Sequence, residues 1–108
     1  MGRMEAAAKK PKVNATDAAY EPGLLARLKD AGYAADYLAA VAEDGDPAAF
    51  LLALRQVAQA QGMAGVARRA KLGRESLYKA LSEGGNPEWR TVAKLLPALG
   101  LRLSVTAA

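Results

Sequence analysis

MAGVARRAKLGRESLYKALSEGG, residues 63–85, sets two very short helical patterns on either side of one turn. In the first, Val66, Ala67 and Ala70 are apolar while Arg68, Arg69 and Lys71 point elsewhere. Leu72-Gly73 is expected to make the turn, with the glycine supplying a backbone angle that other residues resist. In the second pattern Leu77, Ala80 and Leu81 form a buried stripe. Arg74, Glu75, Ser76, Tyr78, Lys79 and Ser82 are then left for solvent or a ligand. A helix-turn-helix requires this arrangement: a small residue, Ala67, lets the helices approach, and Leu77 and Leu81 anchor the second helix so that its other face can enter a major groove.

The outward side chains have the chemistry for duplex DNA. Arginine bridges the acceptors of guanine, serine bonds to bases or phosphates, and lysine suits phosphates. Several positions carry two readings. Tyr78 stacks on a sugar or bonds a phosphate, or else packs back on its own domain. Glu75 accepts from a cytosine amino group, or only complements the positive end of its helix. Arg68 and Arg69, on the supporting helix, either touch the DNA backbone or form a solvated face.

The flanks are helical too. Leu24, Leu25 and Leu28 recur at helical spacing, and Ala31-Gly32 is expected to close that segment with the glycine as C-cap. A helix over residues 34–43 follows, with Tyr33, Tyr37 and Val41 along one stripe. Asp46-Pro47 is the clearest helix start: aspartate accepts from the free amides and proline is shaped for the first position. Phe50, Leu54, Val57, Ala58 and Gln61 trace one face of the helix it opens, and Gly62 ends it. Asn86-Pro87 gives a similar start signal, after which Trp89, Val92, Ala93 and Leu96 build an apolar face with Trp89 expected in the core. Pro97 breaks the pattern, so that helix should stop near Leu96 with one looser turn before Gly100. Leu101, Leu103 and Val105 alternate with Arg102, Ser104 and Thr106, which predicts a short C-terminal strand in need of a partner.

Composition removes whole classes of function. The chain has 108 residues, enough for one compact domain with an arm. Without cysteine or histidine it lacks thiol nucleophiles, zinc ribbons, the commonest general base and the commonest metal ligand. No metal site, cofactor or catalytic residue is expected, and the chain is not expected to be an enzyme. No apolar run approaches the ~20 residues of a membrane span, and the basic first residues lack the apolar core of a signal peptide, so a cytoplasmic location away from membranes is expected.

Charge is unevenly spread. Residues 1–12 hold four basic and one acidic side chain, residues 13–54 two basic and seven acidic, and residues 55–108 nine basic and three acidic. A basic C-terminal half suits a polyanion, although charge runs are also ordinary solvated faces. Residues 1–16 have no periodicity and read as a disordered arm. Residues 17–45 read as an N-terminal helical extension, and residues 46–108 as the helix-turn-helix domain with its extended tail.

Three blocks, YLAAVAEDGDPAAFLLALRQVAQAQGM, GVARRAKLGRESLYKALSEGGNP and TVAKLLPALGLRL, together resemble the addiction-module antidote proteins. These are HigA-like antitoxins within the Xre-type, lambda-repressor-like helix-turn-helix regulators. The resemblance covers roughly two-thirds of the chain. It implies an all-α fold of five or six short helices. It also implies a homodimer on a palindromic operator of double-stranded DNA, and neutralisation of a RelE/ParE-like toxin by direct contact. Carried onto matching positions, Ala64 to Lys71 is the supporting helix and Arg74 to Ser82 the recognition helix. Arg74, Ser76, Tyr78 and Lys79 then face the DNA. Pro97 departs from the family pattern, and the section before Tyr37 matches only loosely.

Tyr20, Leu24, Leu28, Tyr33, Asp36 and Tyr37 then have two readings. They cover the domain as an extra layer, or they form the acidic and apolar surface that grips a basic toxin. A standalone prophage-type repressor and a protein-interaction module are the competing functions. The acidic segment 17–46 favours an antitoxin over the former, and the basic recognition helix argues against the latter.

Overall fold

Asp46 and Pro47 start the longest helix, and the rest of the chain is arranged around it. In a computed structural model that describes residues 23–108, this helix runs Pro47–Gln61, with the Asp46 carboxylate accepting from the Ala48 amide at 3.0 Å. Among the described residues there are six helices and no strand: α1 Leu24–Arg27, α2 Ala31–Glu43, α3 Pro47–Gln61, α4 Met63–Ala70, α5 Arg74–Leu81 and α6 Trp89–Ala98. Helix α3 packs against α1, α2, α4 and α5, while α6 packs on α4. The arm at residues 1–16, and Tyr20, lie outside the described residues.

One core joins the whole described chain. Leu28, Val41, Leu54, Val57, Val66, Leu77, Leu81, Leu95 and Leu99 are its largest fully buried side chains. Each such aliphatic contributes roughly 1.5–3 kcal/mol relative to exposure. Residues before and after Gly45 therefore share a single apolar interior. Inside it the Tyr37 hydroxyl donates to Gln56 Oε1 at 2.6 Å, satisfying the one buried polar side chain of the described core.

Several local expectations change. Ala31-Gly32 does not end α1. Asp30 caps α2 by accepting from the Tyr33 amide at 3.1 Å, and this places Gly32 in the first turn of the new helix. Asn86-Pro87 does not open α6, which begins at Trp89 after Glu88. The turn after α4 takes its left-handed residue at Lys71 (φ 58°, ψ 44°), whereas Gly73 has ordinary extended angles. The Leu72 amide then bonds back to the Ala67 carbonyl at 2.9 Å, and half-buried Leu72 packs on the core.

Helix α6 continues through Pro97 to Ala98 and closes with the Leu101 amide on the Leu96 carbonyl at 2.9 Å. Trp89 is not core but 61% exposed, because the buried stripe of α6 runs through Val92, Leu95, Leu96 and Leu99, beginning after it. Residues 101–108 form no strand, and the described residues hold no second strand for them to pair with.

Candidate nucleic-acid interface

A single residue turns the chain from the long helix into the short pair α4 and α5. Gly62 is the C-cap of α3 and the N-cap of α4 at once, at φ 93° and ψ 110°, a conformation that strongly favours glycine. Helix α4 lays Met63, Val66, Ala67 and Ala70 on the core. A three-residue turn, Lys71 to Gly73, leads into α5, which buries only Leu77 and Leu81.

The opposite side of α5 is open. Arg74, Glu75, Ser76, Tyr78 and Lys79 are all exposed, on one short helix held by two leucines. The Arg74 guanidinium sits over the Tyr78 ring, 5.8 Å from its centroid, and the ring is 44% exposed. That contact turns Tyr78 toward solvent beside a cation, and limits where Arg74 can reach. Arg68, on α4, is exposed as well.

Two predicted contacts are engaged elsewhere. Arg69 Nε donates to the Ala98 carbonyl at 3.0 Å, and its Nη2 donates to Gln61 Oε1 at 3.0 Å. Gln61 Nε2 donates in turn to the Leu99 carbonyl at 2.9 Å. Arg69 and Gln61 thus satisfy the carbonyl end of α6, where a cation is also favoured by the helix dipole. Ser82 is half-buried, and its hydroxyl donates to the Lys79 carbonyl at 2.7 Å, closing α5 on itself.

The six residues expected to grip a protein partner separate sharply. Leu24, Leu28 and Tyr37 are buried in the core, so their side chains are not a surface. Tyr33 is half-buried and Asp36 exposed, both on α2. The helical spacing that singled them out marks the face against α3, as it does for any amphipathic helix. Leu25, set by the sequence at helical spacing with Leu24 and Leu28, is 47% exposed beside this layer, on the side of α1 away from buried Leu24. The carboxylates of Glu43, Asp44 and Asp46 are exposed at the corner between α2 and α3.

Among the described residues no group of acidic side chains is arranged to hold a metal ion, and no helix is long and apolar enough to cross a membrane. What the fold does present is a pair of short helices with a polar outer face, on an all-helical core. Comparison with known proteins gives this class its family. A family described as "Probable addiction module antidote protein" matches residues 23–107, and the chain belongs to it. A protein of Haemophilus influenzae named only as uncharacterized is 42% identical over 69 residues, covering 64% of this chain and 71% of its own. No solved structure matches.

Proposed function

We propose that the chain is the antitoxin of a type II toxin–antitoxin module, a HigA-like member of the Xre-type regulators that also represses its own promoter. Helices α4 and α5 act as a helix-turn-helix, with α5 as the reading element. The observation that carries this is the division of α5: Leu77 and Leu81 fully buried, and five polar or aromatic side chains exposed on the other side. Arg74 and Ser76 at the start of the helix suit base edges, and Lys79 and Arg68 suit phosphates. A homodimer would set two such helices about 34 Å apart and so recognise a palindrome.

The partner is a RelE/ParE-like toxin, held directly. Its surface on this chain is the outer face of α1 and α2, with Leu25, Tyr33, Asp36 and the acidic corner at Glu43 to Asp46. A toxin that cleaves RNA is expected to be basic, and such a face complements it. Co-expression with the product of the adjacent reading frame tests both halves. A stable complex, rescue of growth and a shift of the upstream promoter fragment are expected. Promoter binding with no complex to either neighbouring product would leave a standalone prophage-type repressor, and complex formation without promoter binding would remove the helix-turn-helix role.

A further inference from the structure

The C-terminal tail alternates like a strand, and among the described residues no second strand pairs with it. After the Leu101 amide, which closes α6, no backbone hydrogen bond joins residues 102–108 to the rest of the described chain. Leu101 is half-buried against the core, but Leu103 is 58% and Val105 87% exposed. An alternating tail with bare apolar side chains and unpaired amides is an edge waiting for a partner. The tail, through Leu101 and Leu103, is itself one wall of a shallow groove whose other wall is α2 with Leu38, Ala39 and Ala42 and, at its rim, Asp36.

We infer that the tail pairs with the same tail of a second copy, antiparallel about a two-fold axis at Leu103. The sequence is self-complementary in that register. Leu103 faces Leu103 of the second copy, Leu101 faces Val105, and Arg102 faces Ser104, so no like charges stand opposite one another. With a period of two, all the apolar side chains fall on one face of the ribbon, so that the second copy's Leu103 and Val105 extend the apolar wall that Leu101 and Leu103 already form. The two-fold that a palindromic operator demands then comes from the tails, which leaves both α5 faces open. This rests on the homodimer reading above but not on the identity of either ligand.

The chain has no cysteine, so single cysteines report the register directly. Residues facing each other across an antiparallel pair lie about 4.5–5.5 Å apart at Cα, within disulfide reach. In this register the two copies of residue 104 are offset along the strands and roughly 8 Å apart, too far to bridge. The full chain carrying Leu103→Cys should therefore oxidise to a covalent dimer, while Ser104→Cys should stay largely uncrosslinked under the same conditions.

Leu103→Asp places two carboxylates face to face. It should raise the dimer dissociation constant at least about tenfold in sedimentation equilibrium, with the helical circular dichroism and melting of the monomer unchanged. Equal crosslinking at both positions, or at neither, overturns the strand pair. If neither crosslinks and the chain is still dimeric, the homodimer survives on another surface. A monomer at micromolar concentration overturns the pairing, and so does a tail that crosslinks only once a toxin cysteine is supplied. Promoter binding, measured separately on the same variants, judges the DNA reading.

Discussion

Arg69 Nε lies 3.0 Å from the carbonyl oxygen of Ala98, so a side chain of α4 caps the far end of α6. Arg68 and Arg69 are consecutive and identical in charge, but they do different work. The first points to solvent, and the second ties the α4–α5 pair to the last helix.

Removing that tie should cost stability before it costs binding. Arg69→Ala leaves the Ala98 carbonyl and Gln61 Oε1 to water. Because Arg69 is itself exposed, the loss should be about 1 kcal/mol, seen as a melting temperature lower by roughly 4–8 °C. Promoter affinity per folded molecule should stay within about threefold. A large loss of affinity with unchanged melting would return Arg69 to the DNA face.

The exposed face of α5, proposed to read the operator, makes the opposite demand. Arg74→Ala with Lys79→Ala should weaken promoter binding by at least about a hundredfold. It should also flatten the dependence of log affinity on log salt by roughly two. Both side chains are exposed, so circular dichroism and melting should change little. Binding of the toxin should be intact. Undiminished promoter affinity would show that α5 is not the reading helix.

Tyr37 separates core from partner surface. Its hydroxyl donates to buried Gln56 at 2.6 Å, so Tyr37→Phe strands an acceptor in the interior and should destabilise by about 1–3 kcal/mol in urea unfolding. Toxin affinity should not follow. Asp36→Lys, on the exposed side of the same helix, should weaken the complex several-fold at low salt. If Tyr37→Phe weakened the complex at unchanged stability, the helix would have to open its buried face to the partner.

What the sequence made legible follows from how local each signal is. Asp46-Pro47, Gly62 and the Leu77/Leu81 stripe were readable because a cap, a stop and a helical period are decided within a few residues. Asp30 was equally local, but Gly32 next to it is also a good helix stop, and the carboxylate cap prevails over it. Leu24, Leu28 and Tyr37 could not be sorted into core or partner surface, since periodicity identifies an apolar face and not what covers it. Trp89 and Arg69 depend on where α6 lies across α4, between residues 20 to 30 positions apart, and no local pattern encodes that crossing.

The end of α5 gives a steric test. A methyl group on Gly85 would meet the carbonyl oxygens of Ala80 and Ser82, the latter at 2.8 Å, while the Gly85 amide already donates to Ser82 at 2.8 Å. These are backbone atoms that cannot rotate away. Gly85→Ala should therefore cost about 1–3 kcal/mol by forcing the loop off the helix. Because that loop leads directly out of Leu81 and Ser82, promoter affinity should fall with it. Neutral melting would mean that residues 82–88 leave α5 by another path.

The turn between the two helices should respond in the other direction. Lys71 occupies the left-handed region at φ 58°, where a side chain crowds its own backbone. Glycine takes that conformation without the clash, and the bond from Leu72 to Ala67 that closes α4 is a backbone bond that does not need the lysine. Glycine also has more freedom to lose from the unfolded chain, which offsets part of the gain. Lys71→Gly should therefore stabilise the protein by about 0.5–1 kcal/mol, a rise of a few degrees in melting. The same change removes one cation next to α5, so promoter affinity should fall modestly and the salt dependence should ease by about one if Lys71 meets a phosphate. Lys71→Ala separates the two effects: it removes the charge but keeps the strain, so it should match the glycine variant in DNA binding and the parent in stability. A destabilised Lys71→Gly would mean that the turn is held by the lysine side chain and not by its backbone.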